Sequence, residues 1–151
     1  MTETMTTVPL MERVVFLRKV PLFADLEPMD LKPIAAIATE HSFADGDTIA
    51  EQGESGDEMY VIALGEVAVV ARAEGIDRTL AVRSTGEVIG EMAVITSRPR
   101  MASLVARGDV RLLTIARRQF EAILRERPET SLAVMRVLCD RLAAREDQSV
   151  H

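Results

Sequence analysis

The chain has 151 residues, a formal net charge of −6, one cysteine, two histidines, one tyrosine and no tryptophan. This length suggests one domain able to bury roughly 70% of its unfolded surface, with no need of a disulfide or metal. The acidic balance argues against direct binding to nucleic acid, and the scarcity of aromatics argues against a base-stacking platform.

The lone Cys139 makes no intramolecular disulfide, so a reducing cytoplasm is the expected compartment. His41 and His151 are far apart, and no spacing suggests a metal site or a nucleophile–base pair. The expectation is a protein that is not an enzyme. No apolar run approaches ~20 residues, so no membrane span is expected. The first stretch, "MTETMTTVPLMERVV", lacks the basic region and apolar core of a secretory signal.

Residues 1–11 read as a tail, 12–145 as the domain and 146–151 as a second tail. The stripe Leu10, Val14, Val15 and Leu17 predicts a first helix. In "LEPMDLKPIAAIATE", Pro28 suits a first helical turn, but Pro33 would remove a hydrogen bond from a continuous helix. A tight turn followed by a helix from about Pro33 to Ala38 is expected.

From Glu40 to Ala116 the pattern turns to short strands between turn residues. An Asp-Gly turn falls at Asp45 and Gly46. Gly53, Gly56 and Gly65 surround two β-branched runs, "AEGIDR" reads as a hairpin tip, and another turn falls at Gly86. "MASLVARGDVRLLTIA" reads as two strands around a turn at Gly108 and Asp109. About eight strands predict an α+β fold: an antiparallel, jelly-roll-like β-roll between N-terminal helices and two C-terminal helices.

"RRQFEAIL" predicts the first C-terminal helix, Pro128 marks a boundary, and "ETSLAVMRVLCDRLAAREDQ" predicts a long last helix. Its first half is apolar on more than one face, at Leu132, Val134, Met135, Val137 and Leu138. Such a helix needs two surfaces to pack against. Core packing on the roll is one reading; one face on the roll and one on a lid or dimer contact is the other.

The stretch with most chemistry is "GEMAVITSRPRMAS", residues 90–103. Gly90 permits close backbone approach to a ligand. The first amides of the short helix that follows have no internal partner and favour an anion. Pro99 extends the chain before Arg100, whose planar fork suits phosphate oxygens. Glu91, acceptor-only when ionised, suits a sugar hydroxyl instead. A ribose 3′,5′-cyclic phosphate with a free 2′-hydroxyl satisfies both side chains, although spacing alone leaves dipole compensation by Glu91 and an ordinary loop arginine as alternatives.

This stretch resembles the phosphate-binding cassette of cyclic nucleotide-binding domains, as found in catabolite activators, cyclic-nucleotide-gated channels and kinase regulatory subunits. Gly90, Glu91, Ala93, Pro99, Arg100, Ala102 and Ser103 fall in register, and "GESGDEMYVIALGEVAVV" resembles the family's glycine-marked strand pair. The resemblance extends over about residues 12–145. It implies a β-roll in which Glu91 takes the 2′-hydroxyl and Arg100 the cyclic phosphate, with Met92 and Met101 among the neighbouring contacts. It also implies that the last helix closes over the base. Met135, Leu138 and Leu142, spaced by three and four residues, form one stripe of that helix, suited either to cover the base or to meet the same stripe of a second copy. Two positions depart from the pattern: Met101 stands where many relatives carry a hydroxyl, which favours cyclic AMP over cyclic GMP, and Ile89 replaces the usual aromatic.

The expected ligand is therefore cyclic AMP, with cyclic GMP the alternative, and no cofactor or metal. A sensor needs an output, and none is legible in this sequence. The expected partners are an unseen effector protein or domain, or a second copy meeting the C-terminal helix. The competing readings are a degenerate domain used as an interaction or dimerisation module, and a regulatory fragment of a larger channel, transporter or enzyme. A helix-turn-helix regulator of the catabolite-activator type is not expected, because no such segment follows the long helix.

Overall fold

The computed structural model describes the backbone of residues 3–4 and 9–150 and the side chains of residues 9–146. The expected tails lie partly outside the described residues, as does His151. Helix α1 already begins at Leu10 (Leu10–Arg18), and α5 (Pro128–Val150) runs through the second expected tail.

A 3-10 turn at Pro21–Phe23 links α1 to α2 (Pro28–Ile37). Pro28 opens α2 as expected, but Pro33 does not divide it, and one helix runs through both prolines. The carbonyl that Pro33 leaves without an amide belongs to Met29, which is 75% exposed in the first turn. Solvent can serve a carbonyl there, and Glu27 and Asp30 form a capping box that secures the start.

Among the described residues the sheet has seven antiparallel strands. They are β1 (Glu3–Thr4), β2 (Thr39–Phe43), β3 (Thr48–Ala50), β4 (Glu58–Ala73), β5 (Ile76–Ser84), β6 (Val88–Ile89) and β7 (Ser103–Ala116). The order is β1-β2-β7-β4-β5, with β3 also on β7 and β6 also on β4. The predicted hairpin tip is the two-residue connection between β4 and β5.

The two runs expected around Gly65 are one strand, β4, and the two expected around Gly108 and Asp109 are one strand, β7. The expected turn is a bulge within a continuous pairing. Leu64 pairs with Arg111 and Glu66 with Arg107, so β7 carries the extra residues. Extra residues on one strand bend the pair and increase its twist, which is how the sheet rolls. Gly65 permits the crossing, since an ideal Cβ there would lie 2.5 Å from the Asp109 carbonyl oxygen.

Period-2 alternation sends the side chains of β4 into two cores. Met59 and Val61 join Leu113 and Ile115 under the helices, with Leu17, Phe23, Ile34 and Phe120. Tyr60, Ile62 and Val67 face the inside of the roll, with Leu104, Ala106 and Leu112. The Phe23 and Phe120 rings sit 6.4 Å apart at a tilted angle. Arg127 at the junction of α4 (Arg117–Glu126) with α5 pairs with Asp30 of α2 at 2.9 Å.

Helix α5 divides its apolar residues. Ala133 and Val134 are buried, and Val137 and Leu138 pack against the helical core. Leu132, Met135, Cys139 and Leu142 lie exposed. No helix among the described residues is long and apolar enough to cross a membrane.

Candidate ligand-binding site

The roll opens beside α3 (Glu91–Thr96), a short helix that follows β6 directly. β6 is pinned to β4 by the pairs Tyr60–Ile89 and Val61–Val88. Gly90 then turns the chain with φ at +80°, a conformation that favours glycine. An ideal Cβ at Gly90 would lie 2.7 Å from the Arg100 Nη1. On its inner side α3 rests Ala93 against Gly56, so closely that a side chain on Gly56 would overlap the Ala93 Cβ. A bare backbone on the 51–57 loop thus sets how deep α3 sits.

Arg100 follows Pro99 on the segment leading to β7. Its amide donates to the Glu54 carbonyl at 2.9 Å, and its own carbonyl accepts from the Gly53 amide at 2.8 Å. The residue is only 7% exposed. Its Nη2 donates to the Glu58 carbonyl at 2.6 Å, and its guanidinium carbon lies 5.5 Å from the Tyr60 ring centroid. Among the described residues no carboxylate pairs with it. Burial, reinforced by the Glu58 carboxylate, pushes the Tyr60 phenol up to about 12 against the opposing pull of Arg100. The phenol is therefore neutral near pH 7 and leaves the arginine's charge uncancelled.

Glu91 lies on the same cavity, with 17% of its side chain exposed, and meets Arg141 of α5 at 3.6 Å rather than Arg100. The cavity measures about 640 Å³, within the range of small-molecule sites. Its apolar wall includes Val69, Ile89 and Leu104; α5 contributes Arg141 and Arg145, and β5 and the following turn contribute Arg83 and Glu87. Among the described residues there is no His, Cys, Asp and Glu group able to hold a metal ion.

A buried arginine without a carboxylate partner among the described residues thus lies beside a short helix, with Glu91 on the same cavity. The sequence model of the Cyclic nucleotide-binding domain matches residues 40–127. The chain belongs to this family. Among curated relatives, it is 31% identical over 110 residues to the cAMP-dependent protein kinase regulatory subunit of Blastocladiella emersonii, covering 72% of this chain and 27% of that protein. The corresponding subunit of Mucor circinelloides f. lusitanicus is also 31% identical, over 109 residues, with 26% of its length covered. The chain thus spans about a quarter of the length of these relatives. Among solved structures, the N-terminal domain of a transcriptional regulator from Streptomyces coelicolor A3(2) has 33% identity and a TM-score of 0.79, covering 87% of this chain and 95% of that one. Thermus thermophilus Catabolite Activator Protein has 30% identity and a TM-score of 0.73, covering 85% of this chain and 61% of that one.

Within this cyclic nucleotide-binding domain, Gly90 through Ala93 and Pro99 through Ala102 line the cavity together. Met101 lies at the rim, 80% exposed. Ser103 does not line the cavity; its hydroxyl accepts from the Gln52 amide at 2.9 Å and ties the 51–57 loop to β7. Met135, Leu138 and Leu142 do not line it either. The α5 residues that do are Arg141 and Arg145, one helical turn apart. Their i,i+4 spacing was legible in the sequence, whereas the apolar stripe drew attention to another face. Tyr60 and the Glu58 carbonyl had no local signal, because only the strand register brings them under Arg100.

Proposed function

We propose that the protein is a cyclic nucleotide sensor with a preference for cyclic AMP, and that its role is binding rather than catalysis. Arg100 receives the cyclic phosphate, Glu91 accepts from the ribose 2′-hydroxyl, and the apolar wall of Val69, Ile89 and Leu104 receives the base. The observation that carries this reading is Arg100. A buried cation without a counter-charge is costly, and Arg100 has one carbonyl and one aromatic face as its side-chain partners among the described residues. An anionic ligand supplies what is lacking. The similar kinase regulatory subunits are named as cAMP-dependent, and Met101 offers guanine no hydroxyl; both support cyclic AMP.

Helix α5 responds to the ligand, because Arg141 holds the carboxylate that the ribose requires. The signal passes to an effector, to an output domain or to a second copy of the chain. The exposed row Leu132, Met135, Cys139 and Leu142, spaced by three and four residues, suits a helix–helix seam. The single cysteine, exposed on that row, fits a reducing cytoplasm.

Calorimetric titration of the protein and of Arg100→Ala with cyclic AMP and cyclic GMP tests the reading. Loss of a buried hydrogen-bonded charge partner costs ~2–5 kcal/mol, so cyclic AMP should bind the variant roughly 30-fold or more weakly. Circular dichroism should be unchanged. Equal affinities for parent and variant would remove Arg100 from the site, and no binding by the parent would remove the function.

A further inference from the structure

A cyclic nucleotide held at Arg100 and Glu91 still has one polar region to place, the edge of its base. The cavity lining contains one candidate pair outside the phosphate and ribose residues and outside α5: Arg83 and Glu87. Their Nη1 and Oε2 atoms are 3.7 Å apart. They bracket the turn Ser84–Glu87, in which the Glu87 amide donates to the Ser84 carbonyl at 3.0 Å. That turn is fixed to the roll on both sides, because Gly86 donates to the Ile62 carbonyl at 2.8 Å and Ile62 donates to the Glu87 carbonyl at 3.0 Å.

The strand register tells why Arg83 matters. Arg83 is the pairing partner of Val67, and Ala81 of Val69. Paired residues point to the same face of a sheet, and Val67 belongs to the inner core of the roll. Arg83 is thus a charged side chain on the roll's inner face, half-exposed at the cavity rather than turned outward. A surface ion pair placed for solubility would face the other side.

We infer that Glu87 and Arg83 read the base edge: the Glu87 carboxylate accepts from the exocyclic amine of adenine, and the Arg83 guanidinium holds that carboxylate and donates to a ring nitrogen. This rests on the proposed cyclic nucleotide function and assigns recognition of the adenine amine and ring nitrogens to the end of β5 and the turn after it, beside the effect of Met101 on guanine. The chemistry is a donor beside an acceptor, matched to adenine's amine beside its ring nitrogens.

The test uses the intact protein and three ligands: cyclic AMP, cyclic GMP, and the 3′,5′-cyclic phosphate of purine riboside, which lacks only the amine. A hydrogen bond to a charged acceptor predicts that the parent binds cyclic AMP about tenfold more tightly than the purine analogue. Glu87→Ala should abolish that difference by weakening cyclic AMP alone, and Glu87→Gln, which keeps an acceptor oxygen, should restore part of it. Arg83→Ala should weaken cyclic AMP and the purine analogue, both of which keep the ring nitrogens. Both positions are partly exposed, so thermal unfolding should be unaffected. A parent that binds cyclic AMP and the purine analogue equally, or a Glu87→Ala variant that weakens all three ligands alike, overturns this assignment and leaves the sensor function standing. A parent that binds none of the three overturns both.

Discussion

Gly90→Ala separates the two duties of the glycine that opens α3. The first is conformational. At φ +80° a side chain crowds the following carbonyl, at a cost of roughly 1–2 kcal/mol. For a domain of this size that lowers the Tm by about 2–8 °C. The second duty is spatial. An ideal Cβ would lie 2.7 Å from Arg100 Nη1, so the guanidinium must retreat by roughly 1 Å to reach an ordinary contact. A shift of that size disturbs the 2.6 Å bond from its Nη2 to the Glu58 carbonyl and its place over Tyr60. Affinity for cyclic AMP should fall by about tenfold or more, as expected when a charge-assisted contact is misaligned. Gly46→Ala is the matched control: its φ is +84°, and a Cβ there meets nothing within 4 Å. It should lower the Tm by a similar amount and leave affinity unchanged. Thermal unfolding and calorimetric titration of both variants give the answer. If Gly90→Ala binds cyclic AMP like Gly46→Ala, then Arg100 does not depend on its bare neighbour, and the close approach has no functional meaning.

The other expectations concern the ribose, the base and α5. A 2′-deoxy cyclic AMP should bind the parent more weakly than cyclic AMP, whereas the two should bind Glu91→Ala about equally; equal binding to the parent would leave Glu91 as a partner of Arg141 only. Met101→Thr should shift the balance toward cyclic GMP, and a parent that already prefers cyclic GMP would refute the preference proposed above. Amides from Ser131 to Leu142 should exchange more slowly when cyclic AMP is added, beyond any change in strands remote from the cavity; identical exchange would make α5 scaffold and send the signal out by another route.

What was legible in the sequence was mostly local. The β-branched runs, the hairpin tip and the helical stripes all depend on neighbours within one element, and they gave the β-roll and its flanking helices correctly. The failures share a cause. Gly65 and the Gly108–Asp109 pair carry turn chemistry, and from sequence alone such residues end a strand as readily as they bend one. Here each lies opposite the other in a long pairing, so the ladder resumes beyond the bulge. Only the partner strand can tell a bend from a stop. Pro33 failed for a related reason, since the cost of a lost hydrogen bond depends on whether the orphaned carbonyl reaches water.

The candidate site divides along the same line. Gly90, Glu91, Pro99 and Arg100 lie within one short stretch, so their grouping could be proposed from spacing. Its electrostatic state could not, because it depends on what lies across the cavity. Spacing placed a carboxylate and a guanidinium near each other and left open why they do not neutralise one another. The fold supplies the reason from distant parts of the chain. Glu58 and Tyr60 hold Arg100 from beneath with a neutral oxygen and a neutral ring, and Arg141 draws Glu91 toward α5. Each of the two charges is thereby oriented by a group remote in sequence. Removing Arg141 should consequently change how Glu91 meets a ribose while leaving Arg100 in place, whereas moving Gly90 should do the reverse.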